Sequence, residues 1–290
     1  MTPPALAPTL AFVTPSYPPD LDRCALLVES LDRFGPTFKH YIIVDRADMP
    51  AFAHLASART ILIEAESIID KRFIRIPWKG SSWYNWRALP MRGWISQQVY
   101  KLAAVKLLPE DILVMTDSDT TFVRPFTVDN FFVDGKTGLL DVDYCAGMVP
   151  TWTGVATKML GLKSEPPLRG HVGNLIAWRR EHIVALQAFI EATTGLPWQI
   201  AIARQRTFSE YILYGIYIRQ VLGYDASHHV PSTRALVKQP WDYDLSSQAG
   251  LKAYFDAIEP DNIAIMIHSK DGLPVSAARP LFEALFAKAD

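Results

Sequence analysis

The run Ile112–Leu113–Val114–Met115 stops abruptly at Thr116–Asp117–Ser118–Asp119. Four consecutive apolar residues closed by polar ones predict a short buried strand. Alternate residues of a strand face the same way, so Asp117 and Asp119 are expected to converge while Ser118 turns aside. Two converging carboxylates make a hard, oxygen-rich site suited to Mg²⁺ or Mn²⁺. The carboxyl edge of an open α/β sheet is also where ligands bind. Asp at a strand end can be plain turn chemistry. The apolar strand before the pair and the Thr120–Thr121–Phe122–Val123–Arg124–Pro125 segment after it favour a site. Asp141 and Asp143 repeat the spacing after a shorter, Gly-flanked run and rank well behind.

The neighbouring pattern predicts an α/β fold with a mostly parallel central sheet flanked by helices. Leu10–Thr14 reads as a first strand, broken by Thr14–Pro15–Ser16–Tyr17–Pro18–Pro19. Leu21–Phe34 has helical spacing, with Asp20 as cap and Gly35–Pro36 as stop. His40–Val44 and Thr60–Glu64 follow as strands, the former ending at Asp45. Trp94–Leu108 is a helix with Ile95, Val99 and Leu102 inward and Gln97, Gln98 and Lys101 on another face. Beyond Pro125 we expect strand and turn over Lys136–Pro150 and a loop-rich stretch over Val149–Pro167. A strand at Leu175–Trp178, a helix at Glu181–Ala192, a buried helix at Glu210–Leu222 and a last core strand at Ile263–Ile267 complete the reading. No break is long enough for a linker, so residues 1–290 read as one unit.

The bulk numbers exclude several classes. With 290 residues, 49% hydrophobic and 20% charged, the chain is too apolar for disorder. A formal net charge of −1 provides no global field to recruit nucleic acid. Cys24 and Cys145 are too few for a disulfide framework and fit a reducing compartment. We read no signal peptide and no apolar stretch of the ~20 residues needed to span a bilayer. The expectation is a soluble cytoplasmic protein, with at most peripheral contact at the inner face of the membrane.

In this order of elements the chain resembles the GT-A-fold glycosyltransferases. The motifs that carry the resemblance are Asp117–Ser118–Asp119 and the tail Ile265–Met266–Ile267–His268–Ser269–Lys270, where branches of that class place a metal-binding His followed closely by Lys. The resemblance implies a nucleotide-sugar-binding half over about 9–125 and an acceptor half over about 126–290 that carries the C-terminal metal-binding segment. Thr14, Pro15, Ser16 and Tyr17 would form the loop holding the base, Tyr17 by stacking. Asp45 would read base or ribose. Gln98 and Lys101 would line the nucleotide side, Lys101 favouring the phosphates. Asp119 and His268 would ligate Mn²⁺ or Mg²⁺, with Asp117 bridging to ribose or a bound water and Ser118 beside them. Lys270 would approach the diphosphate. The partners implied are a nucleoside diphosphate sugar, most simply a UDP-sugar, and a glycan, lipid-linked or small acceptor.

Other residues carry two readings. Glu210 is either the general base that deprotonates an acceptor hydroxyl or part of a capping box with Thr207. His171–Val172–Gly173–Asn174 is a turn in which Asn174 suits a sugar hydroxyl. Trp78, Trp83 and Trp86, among the basic residues of 71–93, fit an acceptor site or a homo-oligomer interface equally. Rival functions are a haloacid-dehalogenase-type phosphatase with Asp117 as nucleophile and Asp119 as general acid, a nucleotidyltransferase, and a non-catalytic glycan-binding protein.

Overall fold

The computed structural model describes residues 8–76, 82–268, 271 and 273–289. The central sheet joins β1 (Leu10–Pro15), β2 (Lys39–Val44), β3 (Thr60–Glu64), β6 (Ile112–Met115) and β10 (Ile176–Arg179), in the order β10-β6-β1-β2-β3. β10 is antiparallel to β6, and the other pairings are parallel. Alternation along each strand explains why the sheet is covered on both sides. Ala11, Val13, Leu113 and Met115 enter one core, while Leu10, Phe12, Ile112 and Val114 enter the other.

α1 (Leu21–Phe34) connects β1 to β2, and the short α2 (Met49–Phe52) and α3 (Ala65–Ile68) flank β3. A hairpin of β4 (Ile74–Arg75) and β5 (Trp83–Tyr84) precedes α4 (Trp94–Ala103), which tightens into a 3₁₀ turn at Ala104–Lys106 instead of continuing to Leu108 as one α-helix. Trp83 is buried, its Nε1 donating to Tyr100 Oη at 2.7 Å, whereas Trp86 is exposed. Trp78 lies outside the described residues.

Two smaller sheets complete the frame. In one, β13 (Ala264–Met266) lies between β12 (Val237–Lys238) and β7 (Thr120–Phe122). In the other, β9 (Lys136–Leu140) lies between β8 (Phe132–Val133) and β11 (His229–Ser232). The remaining helices are α5 (Val149–Met159), α6 (Arg180–Thr194), α7 (Trp198–Ala203), α8 (Glu210–Ile216), α9 (Gln248–Asp256) and α10 (Val275–Ala289). A π-helical turn, Tyr217–Leu222, extends α8.

The expected loop over Val149–Pro167 is a helix in its first half. Pro150 sits in the first turn of α5, where its missing N–H costs nothing. Val149, Thr153, Ala156 and Met159 form its buried face. Among the described residues, no helix is long and apolar enough to cross a membrane.

Candidate active site

Parallel pairing of β1 with β6 sets Val13 opposite Met115, so the loops after both strands emerge side by side. Thr116 N donates to Val13 O at 3.0 Å and seals that junction. The strand itself ends at Met115. Asp117–Ser118–Asp119 is a tight turn closed by Thr120 N donating to Asp117 O at 3.2 Å. Strand alternation therefore does not govern these residues. Ser118 lines the same cleft as its neighbours instead of turning aside, and its Oγ donates to Asp20 Oδ2 at 3.3 Å.

The far end of the chain arrives by sheet pairing. β13 runs antiparallel to β7, with Met266 opposite Thr120, and Ile267 N donates to Asp119 O at 3.1 Å. Backbone geometry thus carries His268 to the Asp turn across the long intervening sequence. The Trp241 ring meets the His268 imidazole edge-on, 5.3 Å between centroids.

These elements enclose a cleft of about 620 Å³ at the carboxyl end of the parallel strands. Pro15, Ser16 and Tyr17 line one wall, with Asp45 beside them. Asp117, Asp119 and His268 line it from the turn and the tail, and Gln98, Lys101 and Glu210 from the helices. Thr14 does not reach it: the side chain is fully buried, 2.9 Å from His40 Nε2. Lys270 lies outside the described residues.

At the cleft floor stands a charged cluster. Lys101 is 5% exposed. Its ammonium donates to Asp117 Oδ1 at 2.8 Å and Tyr211 Oη at 2.9 Å, and pairs with Glu210 Oε1 at 3.2 Å. Those contacts can occupy all three protons of an ammonium and tie Lys101 to the Asp turn and to α8, where the resemblance implied a place on the phosphate side. Burial alone would lower its pKa, but Asp117, Tyr211 and Glu210 together hold it well above the ordinary lysine value.

Glu210 is not part of a capping box. Ser209 caps α8, its Oγ accepting from Ile212 N at 3.3 Å, and Thr207 Oγ1 accepts from Trp152 Nε1 at 2.9 Å. Gln98 Oε1 accepts from Glu210 N at 3.0 Å. The Glu210 side chain turns inward to Lys101. Burial raises its pKa against the pull of Lys101. Glu210 Oε2 and Gln98 Nε2 are both buried at the cleft with no hydrogen-bond partner among the described residues. Both atoms are free to bond a polar group that enters the cleft.

Three further residues have partners that the sequence does not indicate. Asn174 lines the cleft, but its amide holds the turn: Oδ1 accepts from Asp117 N at 2.9 Å and Leu175 N at 3.1 Å, and Nδ2 donates to Thr120 Oγ1. Asp45 is gripped by the Arg75 guanidinium and accepts from Tyr100 Oη at 3.1 Å. Arg75 in turn lies over the Trp83 ring, 4.3 Å from its centroid. Asp20 makes no capping bond to α1 and faces Ser118 in the cleft. The competing Asp141 and Asp143 pair is bound by Arg169, and Tyr224 adds a further bond to Asp141.

Among the described residues, no group of three or more His, Cys, Asp or Glu side chains is placed to hold a metal ion. Asp117, which the resemblance set beside the Asp119 and His268 ligands as a bridge to ribose or a bound water, is bonded to Lys101. The donor chemistry at the turn still suits a hard cation: Asp119 brings a carboxylate and His268 an imidazole to one end of the cleft. Sequence reading missed Asp20, Tyr211, Gln239 and Trp241 in this lining. Only their tertiary neighbours distinguish them.

The sequence matches, over residues 10–278, the profile described as "Family of unknown function (DUF6492)". The chain belongs to the DUF6492 family. No curated protein matches it significantly. Among solved structures, this DUF6492 protein is similar to an active-site mutant of LgtC, with TM-score 0.50 and 13% identity over 96% of this chain and 95% of that one. Mouse xyloside xylosyltransferase 1 matches with TM-score 0.48 and 13% identity, over 92% and 99% of the respective chains. The glycosyltransferase GlyE of Streptococcus pneumoniae TIGR4 matches with TM-score 0.48 and 15% identity, over 96% and 60%. The DUF6492 fold is accordingly of the GT-A type, with the mostly parallel sheet and flanking helices expected from the sequence.

Proposed function

We propose that this protein is a glycosyltransferase that moves a sugar from a nucleoside diphosphate sugar, most simply a UDP-sugar, to an acceptor hydroxyl. The observation that carries this reading is the meeting, in one cleft of a GT-A fold, of the Asp117–Ser118–Asp119 turn, His268 and the Lys101–Glu210 pair.

The parts divide by position. Pro15, Ser16 and Tyr17 receive the base, with Tyr17, 41% exposed, as the stacking face. Asp45, oriented by Arg75, borders the ribose. Asp119 and His268 would hold Mn²⁺ or Mg²⁺, a cation that commonly keeps only one or two protein ligands when it binds beside a diphosphate. That ion would offset the negative charge growing on the departing diphosphate. Lys101 holds Asp117 and Glu210 in place.

Glu210 Oε2 is the open end of the cluster. A buried carboxylate with a raised pKa is a better proton acceptor than an exposed one, and we assign it the acceptor hydroxyl proton. Gln98 Nε2, beside it, donates to a sugar hydroxyl. Lys270 remains a candidate for the diphosphate.

Slow hydrolysis of a nucleoside diphosphate sugar, assayed with and without Mn²⁺, tests the assignment. Turnover that needs the metal and falls about 10²-fold or more in Glu210→Gln supports it. Absence of turnover with every donor would leave the glycan-binding alternative in possession. The phosphatase alternative loses its support to the fold: its motif belongs on a first strand, whereas β1, β2 and β3 precede β6 here.

A further inference from the structure

A second cavity of about 240 Å³ opens beside the catalytic cleft. The two share Val172, Gly173, Asn174 and Gln239 as common wall. Beyond that junction the lining is mostly apolar, with Leu140, Val142, Leu175, Leu236 and Val237, while Asn130, Ser232, Thr233 and Arg234 add polar groups. A mostly apolar hollow beside a polar cleft suits the apolar part of a ligand whose polar part the cleft receives. Packing at the junction itself is tight: a Cβ added at Gly173 would stand 2.9 Å from Leu140 Cδ2, so glycine keeps the wall thin there.

Strand order gives this void its place in the reaction. Along the carboxyl edge, Asp45 follows β2, Ser16 and Tyr17 follow β1, and Asp117 follows β6. Next comes the start of antiparallel β10, where Leu175 and Ile176 line the apolar cavity. Base, diphosphate and apolar cavity therefore lie in sequence, with the Lys101–Glu210 pair between the ends. A donor entering by its base leaves the β10 end for the acceptor.

We infer that this cavity is an aglycone subsite: it receives the aliphatic portion of the acceptor, so that the accepted hydroxyl belongs to an amphiphilic glycoside and not to a free, wholly polar sugar. The inference rests on the transferase reading for its direction, while the cavity's preference for an alkyl chain can be measured without any donor.

The test is calorimetric titration of the full chain with n-alkyl β-glucosides from methyl to octyl, below their micellar concentrations. Each methylene entering the cavity should tighten binding about fourfold, until the cavity is full and the trend levels off. Val142→Phe narrows the cavity without touching the cleft and should flatten the trend while leaving methyl glucoside affinity in place. An affinity independent of chain length, or an equal slope in Val142→Phe, overturns the inference. The unmodified protein's series decides the matter if that variant does not fold. A chain-length slope with no response to any nucleoside diphosphate would keep the cavity and remove the transferase reading. The reverse pattern would remove the subsite alone.

Discussion

Lys101 Nζ stands 3.2 Å from Glu210 Oε1, an ion pair whose side chains are 6% and 1% exposed. Asp117 closes the cluster from the other side at 2.8 Å. Burying such charges is costly unless each has its partner, so the pair binds the Asp turn to α8 and fixes the cleft floor.

Lys101→Met removes the cation and leaves Glu210 buried beside Asp117. The expected loss is about 3 kcal/mol or more, the usual result of breaking a buried pair from one side. The double variant with Glu210→Gln should recover a large part of it. Urea denaturation measures both, and a Lys101→Met loss no larger than a surface substitution would contradict the account.

Asn174→Ala unfastens the turn rather than a sugar contact. Leaving the part-buried Asp117 N–H without its acceptor should cost about 1 kcal/mol. Nucleoside diphosphate affinity should fall as well, since Asp119 sits in the loosened turn. Stability that falls while affinity stays unchanged would return Asn174 to a purely structural part.

The pH dependence has a defined sign. Burial lowers the pKa of His40 and of His229 to about 3, from 6.5. Both imidazoles are neutral when folded and protonate when unfolded, so their contribution is present above about pH 6.5 and is lost as pH falls toward 3. Each adds about 1.4 kcal/mol of loss per pH unit in that window. Glu210 and Asp20, whose carboxyls are raised by burial, act in the opposite sense. The difference between the native chain and His40→Met isolates the imidazole: the variant's acid slope should be shallower, and an identical slope would refute the assignment.

Metal and nucleotide should bind together. Asp119 and His268 alone would make a weak site, and no cluster of three ligating side chains stands ready among the described residues. Mn²⁺ alone is expected to change the melting temperature little, and Mn²⁺ with a nucleoside diphosphate much more than either separately. A strong response to Mn²⁺ alone would mean that the protein builds a complete site without the diphosphate.

Much of this was legible in local pattern, and the remainder depended on distant partners. Apolar runs placed β1, β3 and β6, and turn residues placed the ends of α1. The Asp turn and the His268 segment were recognisable because each follows a core strand directly. The α5 helix was hidden because Pro150, Gly154 and three threonines read as loop, although Pro suits a first turn. Asp45, Lys101 and Asn174 reached the cleft as expected, but Arg75, Glu210 and Thr120 decide what their polar atoms do there, and no spacing rule links those pairs. Trp241 and Gln239 lie in an irregular stretch after β12 and join the site through the pairing of β12 with β13 and of β13 with β7.

The most direct test is a melting-temperature panel of nucleoside diphosphates, each with and without Mn²⁺, on the native chain and on Asp119→Ala. One base should stabilise the native protein, by about 2.7 kcal/mol at a hundredfold excess over Kd, with the metal enlarging the effect and Asp119→Ala abolishing the enlargement. A flat panel, or a response indifferent to both metal and Asp119, would contradict the claim that this cleft grips a metal-bound diphosphate.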